Sequence, residues 1–255
     1  RFVYLGPAGS FTPLHRDTLH SFSWSANVTG IKKWWMLPPH CTSALHSTDG
    51  TQLFDLREID AARFPRWEAA RRHMIEFQQG PGDIVFVPSG WWHQVENVTD
   101  TLSVNHNWVN AANVHFSWQL LQDTRTKIVQ ELSLDNEEAV YQEVLEFRLG
   151  WNFQTFHAFL ADILTHEQEI SSKVLHSQKV GECVEKGDKG EREEGYDERR
   201  RWLCEVRLRL LGLTRLEQIL GQIHLTPAAQ EARLVSPPSL TCVPRLQGLL
   251  QECLE

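Results

Sequence analysis

Short apolar runs in the first 110 residues are separated at close intervals by turn-forming residues, and this pattern limits the fold more than any other feature. Runs such as FVYL and IVFV are followed by turn signals such as GPAG, GPGD and PSG. Runs of this length, rich in Val, Phe and Trp, are typical of strands and too short for helices. A series of short strands without intervening helices predicts a sandwich or barrel and not a βαβ fold.

Individual strands are predicted within this region. FVYLGPAGSFTPLHRD reads as two short strands around a Gly/Pro turn, and SWSANVTGIKKWWMLPP as a hairpin that turns at Thr29-Gly30. IVFVP is expected to be a buried strand, and two more strands follow around Asn97 to Asp100. A short helix is expected near Pro65, because proline is favoured in the first helical turn.

The character of the chain changes after Asn110. Apolar residues recur at helical spacing in residues 113–164, where Gly150 separates two helices, and again in residues 197–223. The charged segment 178–200 has little to bury and is expected to be a flexible loop, and a short helix is expected to follow SPPS at the end of the chain. We therefore predict a barrel domain in residues 1–112 and a helical region in residues 113–255.

Charge, hydropathy and cysteine usage exclude several classes of protein. The net charge of -8 argues against a general nucleic-acid binder, and no apolar run approaches the roughly 20 residues that span a bilayer. The five cysteines contain no CxxC pair, which favours reduced thiols in the cytoplasm or nucleus. The first residue is Arg1, within an apolar segment, and we expect the first strands of the domain to lie upstream.

Candidate metal ligands stand at the end of one predicted strand and after another. His15 and Asp17 are two residues apart and would share one face of a strand. His93 ends the run GDIVFVPSGWWH, in which a short turn would bring a strand across the same barrel interior. Two histidines and one carboxylate form the facial triad of non-haem Fe(II) oxygenases, which leaves open positions for a co-substrate and oxygen.

The same residues have an ordinary interpretation. Most HxD triplets are surface or hydrogen-bonding residues, and the chain has 12 histidines from which a third ligand could be chosen. The strand and turn context of His15, Asp17 and His93 is what favours a metal site over chance. A structural zinc site is less favoured, because it would normally use cysteine and close its coordination.

A dicarboxylate co-substrate would need a cation. Lys32 and Lys33 are adjacent and so point to opposite faces of one strand, and strand geometry alone does not choose between them. Thr12, Ser25 and Asn105 could add hydrogen bonds to the co-substrate, or could be ordinary turn and edge residues.

Four stretches, YLGPAGSFTPLHRD, WSANVTGIKKWWMLPP, GDIVFVPSGWWHQVEN and LSVNHNW, together resemble the jumonji-C class of 2-oxoglutarate oxygenases. The resemblance implies a double-stranded β-helix with helical additions. It also implies Fe(II) bound by His15, Asp17 and His93, with O2 and 2-oxoglutarate as co-substrates. The residues that it assigns to 2-oxoglutarate are Thr12, Lys32, Asn105 and, by a looser match, Ser25.

The resemblance is closest to the small hydroxylases of that class, since the carboxylate ligand is Asp17 and no chromatin-reading segment is present. It implies hydroxylation of a lysine, at carbon 4, in the eukaryotic translation release factor, within the cytoplasm or also the nucleus. Relatives form homodimers through C-terminal helices, which suggests the same here. The alternatives are a lysine demethylase of histones or other proteins, a silent binding module and a cupin that does not use 2-oxoglutarate.

Tryptophan and histidine residues near the candidate ligands could line the pocket or pack in the core. Trp91 or Trp92, next to His93, is the best candidate for a wall of the pocket, although most tryptophans of the barrel are expected to fill its core. His106 should point away from the face that carries Asn105 and is expected to be a packing or surface residue.

Overall fold

The computed structural model describes residues 1–110, 112–133, 137–176, 211–216, 218–223, 226 and 247. The chain divides into two compact units, Arg1–Val109 and Asn110–Glu255, and each is described by itself. The predicted boundary after residue 112 lies close to this division.

The first unit is a barrel of two antiparallel sheets. Its elements, in chain order, are β1 (Phe2–Gly6), β2 (Phe11–His15), β3 (Phe22–Thr29), β4 (Lys32–Leu37), α1 (Trp67–Arg71), β5 (Ile75–Gln79), β6 (Ile84–Val87), β7 (Trp92–Asn97) and β8 (Thr101–Trp108). Sheet A has the strand order β1-β8-β3-β6, and sheet B has the order β2-β7-β4-β5. This is the mainly β, cupin-like architecture predicted from the sequence, with α1 close to the expected position.

The predicted hairpin at Thr29-Gly30 is wrong. Strand β3 pairs with β6 and β8, whereas β4 pairs with β5 and β7, so the turn carries the chain from sheet A to sheet B. Gly30 has φ +79°, and a Cβ there would lie 2.1 Å from the carbonyl oxygen of Asp100. Only glycine fits this crossing, because the backbone passes too close for any side chain.

Sheet A places polar residues inside the barrel and apolar residues outside. In β3 the buried residues are Ser23, Ser25 and Asn27, whereas the intervening Trp24 is only partly buried. This reverses the usual order of a half-buried strand. Strand β6 was expected to be buried, but it buries one face only: Val85 and Val87 are buried, whereas Ile84 in an outward position is 71% exposed.

The outer face of sheet B is covered by residues of the long connection between β4 and β5. That connection contains a 3-10 helix, Pro39–Leu45, and α1. Its apolar side chains pack with those of sheet B in one buried cluster, which contains Leu14, Trp35, Leu37, Cys41, Ala44, Leu45, Leu53, Leu56, Phe64, Trp67, Ala70 and Trp92. Burial of this much apolar surface stabilises the strands that end near the candidate ligands.

The second unit is helical where it is described. It contains α2 (Val114–Leu132), α3 (Glu138–Leu149) and α4 (Phe153–His176), with further helical residues at 211–216 and 218–223. As predicted, Gly150 separates two helices: it has φ +76° and ends α3. The expected loop at 178–200, the start of the helix predicted for 197–223 and the helix predicted after SPPS lie outside the described residues. Within the described part, none of the helices combines the length and the apolar character that a membrane span requires.

Candidate metal centre

His15 and His93 are direct neighbours on adjacent antiparallel strands. The register of β2 and β7 pairs one with the other, and the centroids of the two imidazole rings are 4.1 Å apart. Side chains directly opposite in an antiparallel pair share one face of the sheet, so both rings face the barrel interior. A shift of register between Thr12 and His15 lets these two residues, three apart in sequence, line the same cavity.

Asp17 reaches the same place by a different route from the one expected. Strand β2 ends at His15, and Asp17 precedes a 3-10 turn, Thr18–His20. Leu19 and His20 have φ of 55° and 48°, a conformation that residues other than glycine rarely adopt. The sharp turn holds the carboxylate beside the imidazoles, and one ligand atom from each of His15, Asp17 and His93 lies within 4.8 Å of the others.

The ring nitrogens of both histidines are oriented by backbone carbonyls. Nδ1 of His15 lies 2.8 Å from the carbonyl oxygen of Pro13, and Nδ1 of His93 lies 3.3 Å from that of Trp91. When Nδ1 donates to these carbonyls, Nε2 is the nitrogen available to a metal. Burial, reinforced by the neighbouring His15, lowers the pKa of His93 to about 4, so that its ring is neutral near pH 7 and can act as a ligand.

A cavity of about 210 Å³ opens beside the three ligands. Among the residues assigned to 2-oxoglutarate, Thr12, Lys32 and Asn105 line it. Ser25 is not part of its wall: it is 1% exposed, and its hydroxyl donates to Oδ1 of Asn105 at 3.1 Å. The structure therefore places Ser25 behind Asn105 and supports no direct contact between Ser25 and the co-substrate.

The structure separates the two lysines. Lys32 is 5% exposed, and its Nζ donates to Oγ of Ser103 at 2.7 Å, from sheet B across to sheet A. It forms no ion pair within residues 1–109, all of which are described, and burial lowers its pKa. Lys33 points outward and pairs with Glu76 at 2.7 Å. Lys32 is thus the cation available to an anionic ligand in the cavity.

Trp34, which sequence reasoning did not single out, forms the part of the cavity wall next to His93. The Trp34 ring is stacked on that of His93, with 5.9 Å between centroids. Neither Trp91 nor Trp92 lines the cavity: Trp92 faces the outer cluster of sheet B, and Trp91 packs against Trp34 and its apolar neighbours. The expectation for these two residues is wrong. Trp92 is adjacent to an inward ligand in β7 and therefore points outward, whereas Trp91 precedes the start of β7, where strand alternation does not fix its direction.

Two further polar residues were missed. Ser23 donates a hydrogen bond of 2.6 Å to Oδ2 of Asp17, and Ser103 accepts the hydrogen bond from Lys32. A signal for both was present, since serine and asparagine alternate with apolar residues in SFSWSAN and in LSVNHN. Inward polar residues on two strands of a barrel indicate a polar interior. His106, as expected, points the other way and packs against Trp24.

The donor set fits iron. Two imidazoles and one carboxylate on one side of a cavity are the protein ligands of non-haem Fe(II) oxygenases, and the buried ammonium of Lys32 supplies the charge that a dicarboxylate needs. Residues 2–113 match the family of cupin-like domains. The barrel is a cupin-like, jumonji-C domain.

Three curated relatives show the range of the resemblance. The 2-oxoglutarate and iron-dependent oxygenase JMJD4 of Gallus gallus is 40% identical over 186 residues, which cover 70% of this chain and 44% of the relative. The arginine-specific demethylase JMJ20 of Arabidopsis thaliana is 41% identical over 168 residues, or 63% of this chain and 36% of the relative. The bifunctional arginine demethylase and lysyl-hydroxylase psr-1 of Caenorhabditis briggsae is 34% identical over 138 residues, or 50% and 34%. The chain spans less than half the length of these relatives.

Proposed function

We propose that this chain carries the active site of an Fe(II)- and 2-oxoglutarate-dependent protein hydroxylase. The observation that supports it best is the arrangement of one cavity, with His15, Asp17 and His93 clustered at one side and the buried, unpaired charge of Lys32 on its wall. The balanced reaction converts 2-oxoglutarate, O2 and a C–H bond of the substrate into succinate, carbon dioxide and a C–OH group.

Each residue has a defined task in this reaction. Iron, when bound, supplies the activation of O2 that no protein side chain provides. His15, Asp17 and His93 hold the metal, and the ammonium of Lys32 binds the distal carboxylate of 2-oxoglutarate, assisted by Thr12 and Asn105. Trp34 and Val95 line the cavity and limit the access of water, which strengthens every charge interaction within it.

The substrate that we propose is a lysine of the eukaryotic translation release factor, hydroxylated at carbon 4. The similarity to JMJD4 supports an oxygenase that depends on 2-oxoglutarate and iron, and the name of the Caenorhabditis relative includes lysyl hydroxylation. Asp17, in place of a glutamate, is in keeping with the hydroxylase group of the class.

Arginine demethylation is the second candidate, and the Arabidopsis relative favours it. The two outcomes use the same oxidation and differ in which carbon lies near the metal. Hydroxylation of a side-chain methylene leaves a stable alcohol. Hydroxylation of an N-methyl group gives a hemiaminal that breaks down to formaldehyde and the demethylated nitrogen.

Mass spectrometry of release factor incubated with the protein, Fe(II) and 2-oxoglutarate separates these candidates. A gain of one oxygen on a single lysine, absent with the Asp17→Ala variant, is the expected result. Formaldehyde release from peptides with methylated arginine or lysine, with no oxygen retained on release factor, would replace the proposed substrate by the demethylation alternative. Absence of succinate formation with every substrate would count against an oxygenase.

A further inference from the structure

A hydrogen bond across the barrel ties the carboxylate of Asp17 to the opposite sheet. Ser23 lies in β3 of sheet A, whereas Asp17 follows β2 of sheet B. The Oγ of Ser23 donates to Oδ2 of Asp17 over 2.6 Å, and Ser23 is 7% exposed. Because the donor is shielded from water and the acceptor is a carboxylate, the bond belongs to the stronger class of hydrogen bonds.

This bond controls how the carboxylate is presented. Within residues 1–109, all of which the structure describes, it is the only hydrogen bond to the Asp17 side chain, and no lysine or arginine there forms an ion pair with Asp17. One carboxylate oxygen is therefore engaged by Ser23, while Oδ1 keeps its lone pairs for a metal. Free rotation would instead allow both oxygens to approach the same ion.

The neighbouring serines do not share this task. The Oγ of Ser21 accepts a hydrogen bond of 3.1 Å from the side-chain amide of Asn107, and Ser25 donates to Asn105. Of the three serines in this alternating run, Ser23 alone contacts a candidate ligand.

We propose that Ser23 is a positioning residue that holds Asp17 so that it ligates through one oxygen. The proposal rests on the metal site of the proposed function. An ion held by two histidines and one oxygen of Asp17 would keep positions for the co-substrate and O2, which a second oxygen of the carboxylate would reduce. Loss of a hydrogen bond to a ligating group typically weakens metal binding by about 10- to 100-fold.

Binding of Mn(II) in the absence of 2-oxoglutarate tests this without turnover. Free Mn(II) is followed by electron paramagnetic resonance during titration of wild type, Ser23→Ala and Ser23→Thr. We expect Ser23→Ala to weaken binding by about 10- to 100-fold and Ser23→Thr, which keeps the hydroxyl, to stay within about threefold of wild type. Ser89→Ala is the matched control, because Ser89 is buried and its hydroxyl has no hydrogen-bond partner among the described residues.

Thermal unfolding of the metal-free proteins separates positioning from a general structural role. We expect similar midpoints for all variants without metal and a smaller increase on addition of Mn(II) for Ser23→Ala. If Ser23→Ala does not fold, the near-isosteric Ser23→Cys, whose thiol is a weak donor, should show the same loss of affinity.

Two results would overturn the proposal: Mn(II) binding by Ser23→Ala or Ser23→Cys at wild-type strength, or binding by folded Ser23→Thr as weak as by the alanine variant. If wild type forms succinate but its affinity for Mn(II) is insensitive to Ser23, the positioning role alone fails. If wild type does not retain Mn(II), the proposed function fails with it.

Discussion

The two sheets of the barrel share one cavity but differ in what they contribute to it and in how they are supported. Strands of sheet B carry His15, His93 and Lys32, and Asp17 follows directly after one of them. The polar side chains that sheet A contributes to the cavity wall are those of Tyr4, Ser23, Asn105 and Asn107, which carry hydroxyl and amide groups. All the ionisable residues of the wall apart from Tyr4 therefore lie on or next to sheet B.

The two sheets also differ in the packing on their outer faces, which point away from the cavity. Leu14 and Trp92, the neighbours of the two histidines, are each 2% exposed and pack in the cluster that covers sheet B. The guanidinium of Arg16, between His15 and Asp17, lies 4.5 Å from the centroid of the Trp92 ring. On sheet A, by contrast, outward residues such as Ile84 are largely exposed. Metal ligands need positions held to within about half an ångström, and a sheet packed on both faces supplies this better.

Removal of Asp17 should have the largest effect on function. Asp17→Ala takes away one of three metal anchors and the only carboxylate of the cavity wall. We expect turnover of 2-oxoglutarate to succinate to fall below detection, with a metal-free melting temperature close to that of wild type. Asp123→Ala, an exposed carboxylate in α2, is the control. Normal succinate formation by Asp17→Ala would remove this residue from the metal site.

Because the outer face of sheet B is packed and outward residues of sheet A are exposed, truncation of a side chain should lower the free energy of unfolding more in sheet B. Leu37, in sheet B, is fully buried, whereas Ile84, in sheet A, is 71% exposed. Leu37→Ala should lower the free energy of unfolding by about 3 kcal/mol through loss of packing and an internal cavity. Ile84→Ala should cost about 0.5 kcal/mol, as expected for a surface position. Urea denaturation of both variants measures the contrast, and equal losses would contradict it.

Lys32 and Lys33 compare the cavity face and the outer face of a single strand, β4. Lys32→Ala should weaken 2-oxoglutarate binding by about 2 kcal/mol, roughly 30-fold, because a charge-assisted hydrogen bond in a desolvated cavity is lost. Lys33→Ala, which removes only the outward pair with Glu76, should change it little. Isothermal titration with Mn(II)-loaded protein compares the two. A reversed order would mean that Lys33, and not Lys32, is the anchor.

The affinity for 2-oxoglutarate should also depend on pH through Lys32. Burial lowers the pKa of Lys32, and only the protonated amine attracts a carboxylate. Affinity is therefore full below that pKa and falls as pH rises through it, by at most about tenfold per pH unit for a single proton. The Lys32→Met variant, neutral and of similar length, should lack this dependence. A wild-type affinity that is constant in alkaline solution would argue against Lys32 as the anchor.

The sequence was informative about strand content and about which residue types face inward. Alternation separates Lys32 from Lys33, although it does not say which lysine points inward. It predicts that His15 and Asp17 share a strand face, whereas Asp17 lies after the end of β2 and reaches the site through a turn. It also places Ser23 and Ser103 inside, but their partners, Asp17 and Lys32, lie far away in the chain. These contacts depend on how the two sheets face each other, and the local sequence does not encode that arrangement.

The Thr29-Gly30 turn shows the same limit. Two adjacent strands joined by a short turn with glycine look like a hairpin, whether they pair with each other or enter different sheets. The outcome here depends on partners distant in sequence, since β3 pairs with β6 and β8 and β4 pairs with β5 and β7. Gly30 is compatible with this crossing because it fits beside the backbone of Asp100, in the connection between β7 and β8.

The pairing of His15 with His93 has a consequence for local unfolding. Strand β2 lies at the edge of sheet B, is paired only with β7 and has an irregular register, so its amides should open to solvent more readily than those of the central strands. A metal held by both histidines acts as a cross-link between β2 and β7, and ligand linkage raises the cost of opening by about 2.7 kcal/mol at a metal concentration a hundred times its Kd. Hydrogen exchange at the amides of β2 would thus report metal occupancy directly.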